Sequence, residues 1–196
     1  MDAYEGFLER YRSGQMPWDE RMPPPEVIAI AEILPPGRMI DIGCGFGRTA
    51  IYMSQKGWEA IGIDYVPEAI EGARQRAAAL DANVTFLNES TIDMPYLEGP
   101  FDLAVDVGCM HSFSDEERDR HIQELARLLA PGATYMLFAH LKDENDDNPP
   151  GRNRPTPALL QTLLAPWFTL ERQELGTTQV EDKPPWLSGW FWWKRI

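Results

Sequence analysis

Two acidic side chains and a run of glycines carry the most chemistry in this sequence. Asp41-Ile42-Gly43-Cys44-Gly45-Phe46-Gly47 puts a carboxylate just ahead of a G-x-G-x-G turn. Glycine lets backbone turn tightly and approach a ligand closely. A dinucleotide site has the different spacing G-x-G-x-x-G. A pyrophosphate at this turn would be repelled by Asp41, whereas a ligand ending in an ammonium group would be attracted. Asp64 closes the run Ala60-Ile61-Gly62-Ile63-Asp64. A carboxylate at a strand tip can accept both hydroxyls of a ribose. Together the two features describe a nucleoside with a cationic, amino-acid-like tail. A strand-to-helix turn that holds no ligand is the plainer alternative.

His111 is the third candidate. It follows an apolar run ending at Val107, at the end of a strand, where open parallel sheets hold their ligands. A neutral imidazole there can take a proton from an amine or a hydroxyl. His140 faces the same end after the run Ala133 to Ala139. Cys44 and Cys109 read as small packing residues. The cluster Trp186, Trp190, Trp192 and Trp193 suggests a cage for a cation. Alternation explains it better, with Trp190 and Trp192 on one face of a strand and Phe191 and Trp193 on the other. The three His and two Cys lack close ligand spacing, so no metal is expected.

The elements that must position these residues alternate in type. Strands are expected at Arg38 to Ile42, Glu59 to Ile63, Asn83 to Leu87, Phe101 to Val107 and Ala133 to Ala139. Helices are expected at Val27 to Leu34, Thr49 to Lys56, Pro67 to Leu80, Ser114 to Leu129 and Thr156 to Leu164. Ser114 with Glu117 fits a capping box. Pro131-Gly132 reads as the break between the long helix and the strand after it. Short apolar strands between helices imply a parallel sheet covered on both faces. Phe168 to Leu175 and Ser188 to Arg195 follow with no helix between them and should pair antiparallel. A short helical pattern, Tyr4, Phe7, Leu8 and Tyr11, precedes the first Pro-rich segment. The polar stretch Lys142 to Pro157 is a long loop, either a lid or slack.

Composition narrows the function classes. The chain has 196 residues, 43% of them hydrophobic, and a formal net charge of -13. That length suits one domain over residues 1–196, large enough to bury a core around a ligand pocket. So acidic a surface disfavours nucleic acid and anionic membranes. The N-terminus has no apolar leader, and no run is long enough to span a bilayer, so a cytoplasmic protein is expected.

With these residues in place, the sequence resembles the class I S-adenosylmethionine-dependent methyltransferases from about Val27 to Ile196. Asp41, Gly43, Gly45 and Gly47 match the family's first motif, and Asp64 its ribose-binding acid. Ser90-Thr91-Ile92-Asp93 sits where the family reads adenine, and either Ser90 or Asp93 can meet the adenine amino group. Phe101-Asp102 opens the fourth strand as in the family, and Pro131-Gly132 precedes the fifth. The resemblance implies an α/β, doubly wound, Rossmann-like seven-stranded sheet, mostly parallel with an antiparallel C-terminal strand. It implies cofactor contacts from Trp18, Asp41, Gly43, Cys44, Gly45, Asp64, Tyr65, Ser90, Thr91, Ile92, Asp93, Asp106 and Val107. Residues 1–25 would cap the pocket.

A narrower resemblance, through Pro17-Trp18-Asp19 and the run Asp106 to Ser112, is to the thiopurine, thiol, halide and tellurite methyltransferases. It implies a soft, small acceptor such as a thiol or halide, which needs no general base; His111 is the tentative base for an amine or hydroxyl acceptor. The alternatives are N- or O-methylation of a small aromatic or heterocyclic compound, and a module that binds S-adenosylmethionine without chemistry. A nicotinamide-dependent oxidoreductase is a further option. The expected partner is a small-molecule acceptor, and the expected state a monomer or weak dimer.

Overall fold

The strand β1 (Arg38–Ile42) is buried at four of its five positions, Met39 to Ile42. Such a strand needs cover on both faces, and the sequence supplies it as helices between parallel strands. A computed structural model describes residues 3–13, 19–143, 153–179 and 185–196. The chain forms two compact units, residues 1–91 and 92–196.

The first unit carries α1 (Ala3–Ser13), α2 (Pro25–Ile33), β1, α3 (Arg48–Gln55), β2 (Glu59–Asp64), α4 (Pro67–Ala79) and β3 (Val84–Asn88). β2 pairs parallel with β1 on one side and with β3 on the other. α3 and α4 are the crossovers that parallel neighbours require. Pro67 opens α4, where its missing N–H costs no intrahelical bond. The N-terminal segment is fastened to α4 by two ion pairs. Arg12 Nε lies 2.8 Å from Glu68 Oε1, and the Arg76 guanidinium donates to both oxygens of Asp19 at 2.9 and 2.8 Å.

The second unit carries β4 (Phe101–Val107), a short 3₁₀ turn (Met110–Ser112), α5 (Asp115–Leu128), β5 (Leu129–His140), α6 (Pro157–Leu164), β6 (Phe168–Thr178) and β7 (Trp186–Arg195). β4 and β5 are parallel, whereas β7 runs antiparallel to both β5 and β6. The strand order is β3-β2-β1 in the first unit and β4-β5-β7-β6 in the second, seven strands in all. The expected fold class is therefore the observed one. Among the described residues no helix is long and apolar enough to cross a membrane.

The capping box on α5 is present. Ser114 N donates to Glu117 Oε2 at 2.7 Å, and Glu117 N donates to Ser114 Oγ at 3.3 Å. One expectation fails. Pro131-Gly132 does not separate helix from strand, because β5 starts at Leu129 and runs through the pair. Leu129 is already in register with Phe101, and the register shifts between Phe101 and Leu103. Gly132, at φ 81°, adopts a left-handed conformation inside the strand rather than ending a helix.

Candidate active site

The glycine turn after β1 is built from left-handed backbone. Gly43, Gly45 and Gly47 have φ of 64°, 55° and 77°, which side chains other than glycine rarely adopt. Gly47 caps α3 and has a second reason to be glycine. A Cβ there would lie 2.6 Å from the Phe86 ring, and one at Gly62 would lie 2.7 Å from the same ring. Gly45 faces the N-terminal helix instead, and a Cβ on it would come within 3.0 Å of the Tyr11 hydroxyl.

The two acids of this unit hold the turn together. Asp41 is 3% exposed, and its Oδ2 accepts from Ala50 N at 3.0 Å, in the first turn of α3. Its charge thus also faces the positive end of that helix. Asp64 is 5% exposed; its Oδ2 accepts from Gly45 N at 3.0 Å and its Oδ1 from Val66 N at 2.9 Å. Burial raises the Asp64 pKa, and the backbone N–H groups around it pull the other way. Cys44 N donates to Ile63 O at 2.9 Å, which ties the turn to β2, and Asn88 Nδ2 donates to Asp64 O at 3.0 Å. Cys44 itself is buried and Tyr65 is half-buried. Thr91 is buried beside an exposed Ser90.

In the second unit, Ile92 is half-buried and Asp93 is an exposed partner of Arg120, with Arg120 Nη1 2.6 Å from Asp93 Oδ2. Asp106, at the end of β4, is fully buried. It shapes the chain beyond the strand: Oδ1 accepts from Cys109 N at 2.6 Å and Oδ2 from Met110 N at 2.9 Å. Val107 and Gly108 are half-buried, and Gly108 N donates to Phe138 O at 3.0 Å. Burial pushes the Asp106 pKa up to about 7, against the pull of those N–H donors.

That shift has a sign that can be checked. The folded chain keeps the Asp106 proton up to about pH 7, whereas an unfolded Asp releases it near pH 3.9. This group's contribution to stability is therefore full below roughly pH 4, falls as pH rises towards 7, and is level above. Asp106→Asn cannot ionise, although it gives up one accepting oxygen. Thermal unfolding should show wild type losing more stability than Asp106→Asn between pH 5 and 8. Identical pH dependences in the two proteins would contradict this account.

The 3₁₀ turn that Asp106 holds presents His111. Arg118, 1% exposed, donates from Nη2 to His111 O at 3.2 Å and so braces the same turn. His111 stacks on His140, with ring centroids 4.5 Å apart and planes 25° from parallel. Phe138 and Trp186 meet His140 edge-on at 5.6 and 5.1 Å. The Arg154 guanidinium lies over Trp186, 5.3 Å from its centroid. His111, Phe138, His140, Arg154 and Trp186 all remain partly exposed. The rest of β7 behaves otherwise: Trp190 and Trp192 neighbour each other on one face, and Phe191 and Trp193, at 0% and 1% exposure, stack on the other.

The comparisons with known proteins bear on this arrangement. Residues 39–132 match the family model described as a methyltransferase domain. The chain is 28% identical over 171 residues to the 2-heptyl-1-hydroxyquinolin-4(1H)-one methyltransferase of Mycobacteroides abscessus, covering 86% of this chain and 75% of that protein. It is 36% identical over 109 residues to ajmaline N-methyltransferase of Rauvolfia serpentina, covering 54% of this chain but only 37% of that protein. Among solved structures, one describing the conversion of a disulfide bond into a thioacetal group during echinomycin biosynthesis matches with a TM-score of 0.81. It is 22% identical and covers 99% of this chain and 92% of that one. Residues 39–132 thus form a methyltransferase domain, and the fold they belong to is the one found in solved S-adenosylmethionine-dependent methyltransferases.

The methyltransferase's own residues fit that cofactor. A carboxylate has about four acceptor positions, and the backbone N–H groups of Gly45, Val66 and Tyr65 engage Asp64, which leaves it room to accept from a ribose hydroxyl. The left-handed glycines at 43 and 45 keep side chains off the turn. Of the residues expected to bind the cofactor, Asp41, Gly43, Cys44, Gly45, Asp64, Tyr65, Ser90 and Thr91 belong to the first unit, and Ile92, Asp93, Asp106 and Val107 to the second. Trp18 lies outside the described residues, as does most of the 142–157 loop. Sequence reasoning missed Tyr11, which reaches the glycine turn, and the pairing of Trp186 with Arg154. The sequence held no local signal for that role of Trp186: it is the β5–β7 register, which sets His140 against Ser188, two residues from Trp186, that brings the two rings together.

Proposed function

We propose that this methyltransferase moves the methyl group of S-adenosylmethionine to a nitrogen or oxygen of a small heteroaromatic acceptor. The observation that carries the reading is the His111–His140 stack, with Phe138 and Trp186 edge-on to His140. Those side chains give planar rings a surface, and imidazole gives a proton acceptor beside it. Support also comes from relatives named for a hydroxyquinolone and for N-methylation of ajmaline. The bound cofactor supplies an activated sulfonium methyl.

The chain's residues do the rest. Asp64 holds the ribose, Asp41 and the glycine turn orient the cationic tail, and Thr91 with Ser90 or Asp93 meets the adenine. Asp106 and Arg118 fix the turn that carries His111. The acceptor's lone pair forms the new bond to the methyl carbon as the carbon–sulfur bond breaks, and His111 takes the acceptor's proton. Positioning supplies up to roughly 7–11 kcal/mol of barrier reduction in such a displacement. The reading includes a single cytoplasmic domain acting as a monomer or weak dimer, with residues 1–25 as a cap.

The test is an acceptor screen that follows S-adenosylhomocysteine release, with thiols, halides, phenols, amines and hydroxylated heteroaromatics side by side. The heteroaromatics should turn over fastest. Preferred turnover of a thiol or halide would return the function to a soft-nucleophile methyltransferase.

A further inference from the structure

We infer that His140 acts through His111: the stacked pair holds one proton but not two, so His111 stays basic at a lower pH than it would alone. The inference rests on the reading of His111 as the base and adds the residue that sets its charge. His111 follows β4 on the 3₁₀ turn, and His140 ends β5, the parallel neighbour of β4. Both stand at the C-terminal end of the parallel strands, where open α/β sheets bind ligands. Phe138, Trp186 and the Arg154 guanidinium complete an aromatic ledge around them.

The two imidazoles meet face to face, with centroids 4.5 Å apart and planes 25° from parallel. The N–H and the lone pair of an imidazole lie in its ring plane. Stacked rings therefore pass no proton to each other and act through space alone. Two imidazolium charges at that separation repel strongly, even at the effective dielectric of a protein. One cation on one neutral ring meets no such penalty. Both rings are half-buried, and partly buried charges are poorly screened. The stack is held from both sides. Phe138 and Trp186 meet His140 edge-on at 5.6 and 5.1 Å. Gly108 leaves room for the other ring, since a Cβ there would lie 3.4 Å from His111 Cε1.

Neighbouring elements bring charges of both signs. From α5, Arg118 donates to His111 O and pairs with Asp115. Before α6, Arg154 lies over Trp186. Both cations add to the cost of a second proton. Lys142 and Asp143 follow β5. On the β4 side, Asp106 accepts from Cys109 N and Met110 N, and its carboxylate, when ionised, favours a proton on the pair. All of these groups are common to wild type and to variants at His140, so they drop out of a comparison between them.

The chain has three histidines, so each Cε1–H signal can be followed by NMR as the pH of the full chain is lowered. His140→Phe keeps a ring in the stack that cannot titrate, and His140→Asn removes ring and charge together. In both, the His111 midpoint should rise by at least about half a pH unit, the shift expected when two sites interact by about one unit. His121, edge-on to Phe113, should not respond and serves as the reference. An unchanged His111 midpoint in either folded variant overturns the proposal. Should neither variant fold, wild type decides. The second proton should enter the pair at least about one pH unit below the first, and two coincident single-site curves overturn the coupling. In turnover, the acid limb of the rate profile should move up with the His111 midpoint in His140→Phe. A midpoint that moves while the limb stays would support the coupled pair and remove His111 as base, so the two failures are told apart.

Discussion

Asp64→Ala is expected to weaken S-adenosylmethionine binding by at least about 1.5–3 kcal/mol, the usual cost of losing hydrogen bonds to a charged group. That range corresponds to roughly 10- to 150-fold in affinity. The structure gives a reason for the upper end. The same carboxylate accepts from Gly45 N and Val66 N, so its removal also loosens the turn that meets the cofactor's tail. Asp64→Asn separates the two contributions, because the amide keeps one oxygen and the side chain's volume. It should bind better than Asp64→Ala and worse than wild type. Calorimetry with S-adenosylmethionine, together with a melting curve for each variant, reads both effects. Unchanged affinity in a folded Asp64→Ala would remove Asp64 from the cofactor site.

The second large effect belongs to His111. If it takes the proton of a nitrogen or oxygen acceptor, His111→Ala should lower kcat by roughly 10²–10⁴-fold. The pH profile is the sharper readout. A protonated imidazole has no lone pair to offer, so the wild-type rate should fall on the acid side of one ionisation. That limb should be absent from the profile of His111→Ala. A thiol acceptor behaves differently, since its own ionisation near pH 8.5 would set the rate and the substitution would cost little. A full rate at every pH in His111→Ala with a nitrogen or oxygen acceptor would leave His111 as a wall of the site and no base.

Much of the fold is legible in the sequence because its signals are local. β1 and α4 fall almost where apolar runs and Pro67 set them. Ser114 and Glu117 announce the start of α5 three residues apart. The same locality explains the misreading at Pro131-Gly132. Proline and glycine break structure on average, but pairing with β4 begins at Leu129 and carries the strand through them. The cofactor half of the site is similarly readable, since Asp41, the glycines and Asp64 lie close in sequence and act through backbone. The ledge is not, because His111, His140, Arg154 and Trp186 come from four separated segments. Arg154 sits in a stretch that reads as polar loop, and only the folded register brings Trp186 near His140. The soft-acceptor expectation leaned on Pro17-Trp18-Asp19. Of these, Asp19 is committed to Arg76, and the other two lie outside the described residues.

Gly47 and Gly62 press against the same phenyl ring, Phe86. Gly47 is confined twice over, by that ring and by its left-handed φ of 77°. Gly62 is crowded chiefly by side chains, the ring and the Cys44 sulfur. The three positions therefore share one volume and cannot drift separately. In lineages where Phe86 has shrunk to Leu or Val, Gly62 should tolerate a methyl group once the Cys44 sulfur, 3.0 Å from that position, also gives way, while Gly47 stays fixed. Substitution at 62 should be epistatic on 86, and the order in which the two changes arise should matter: the ring must go first.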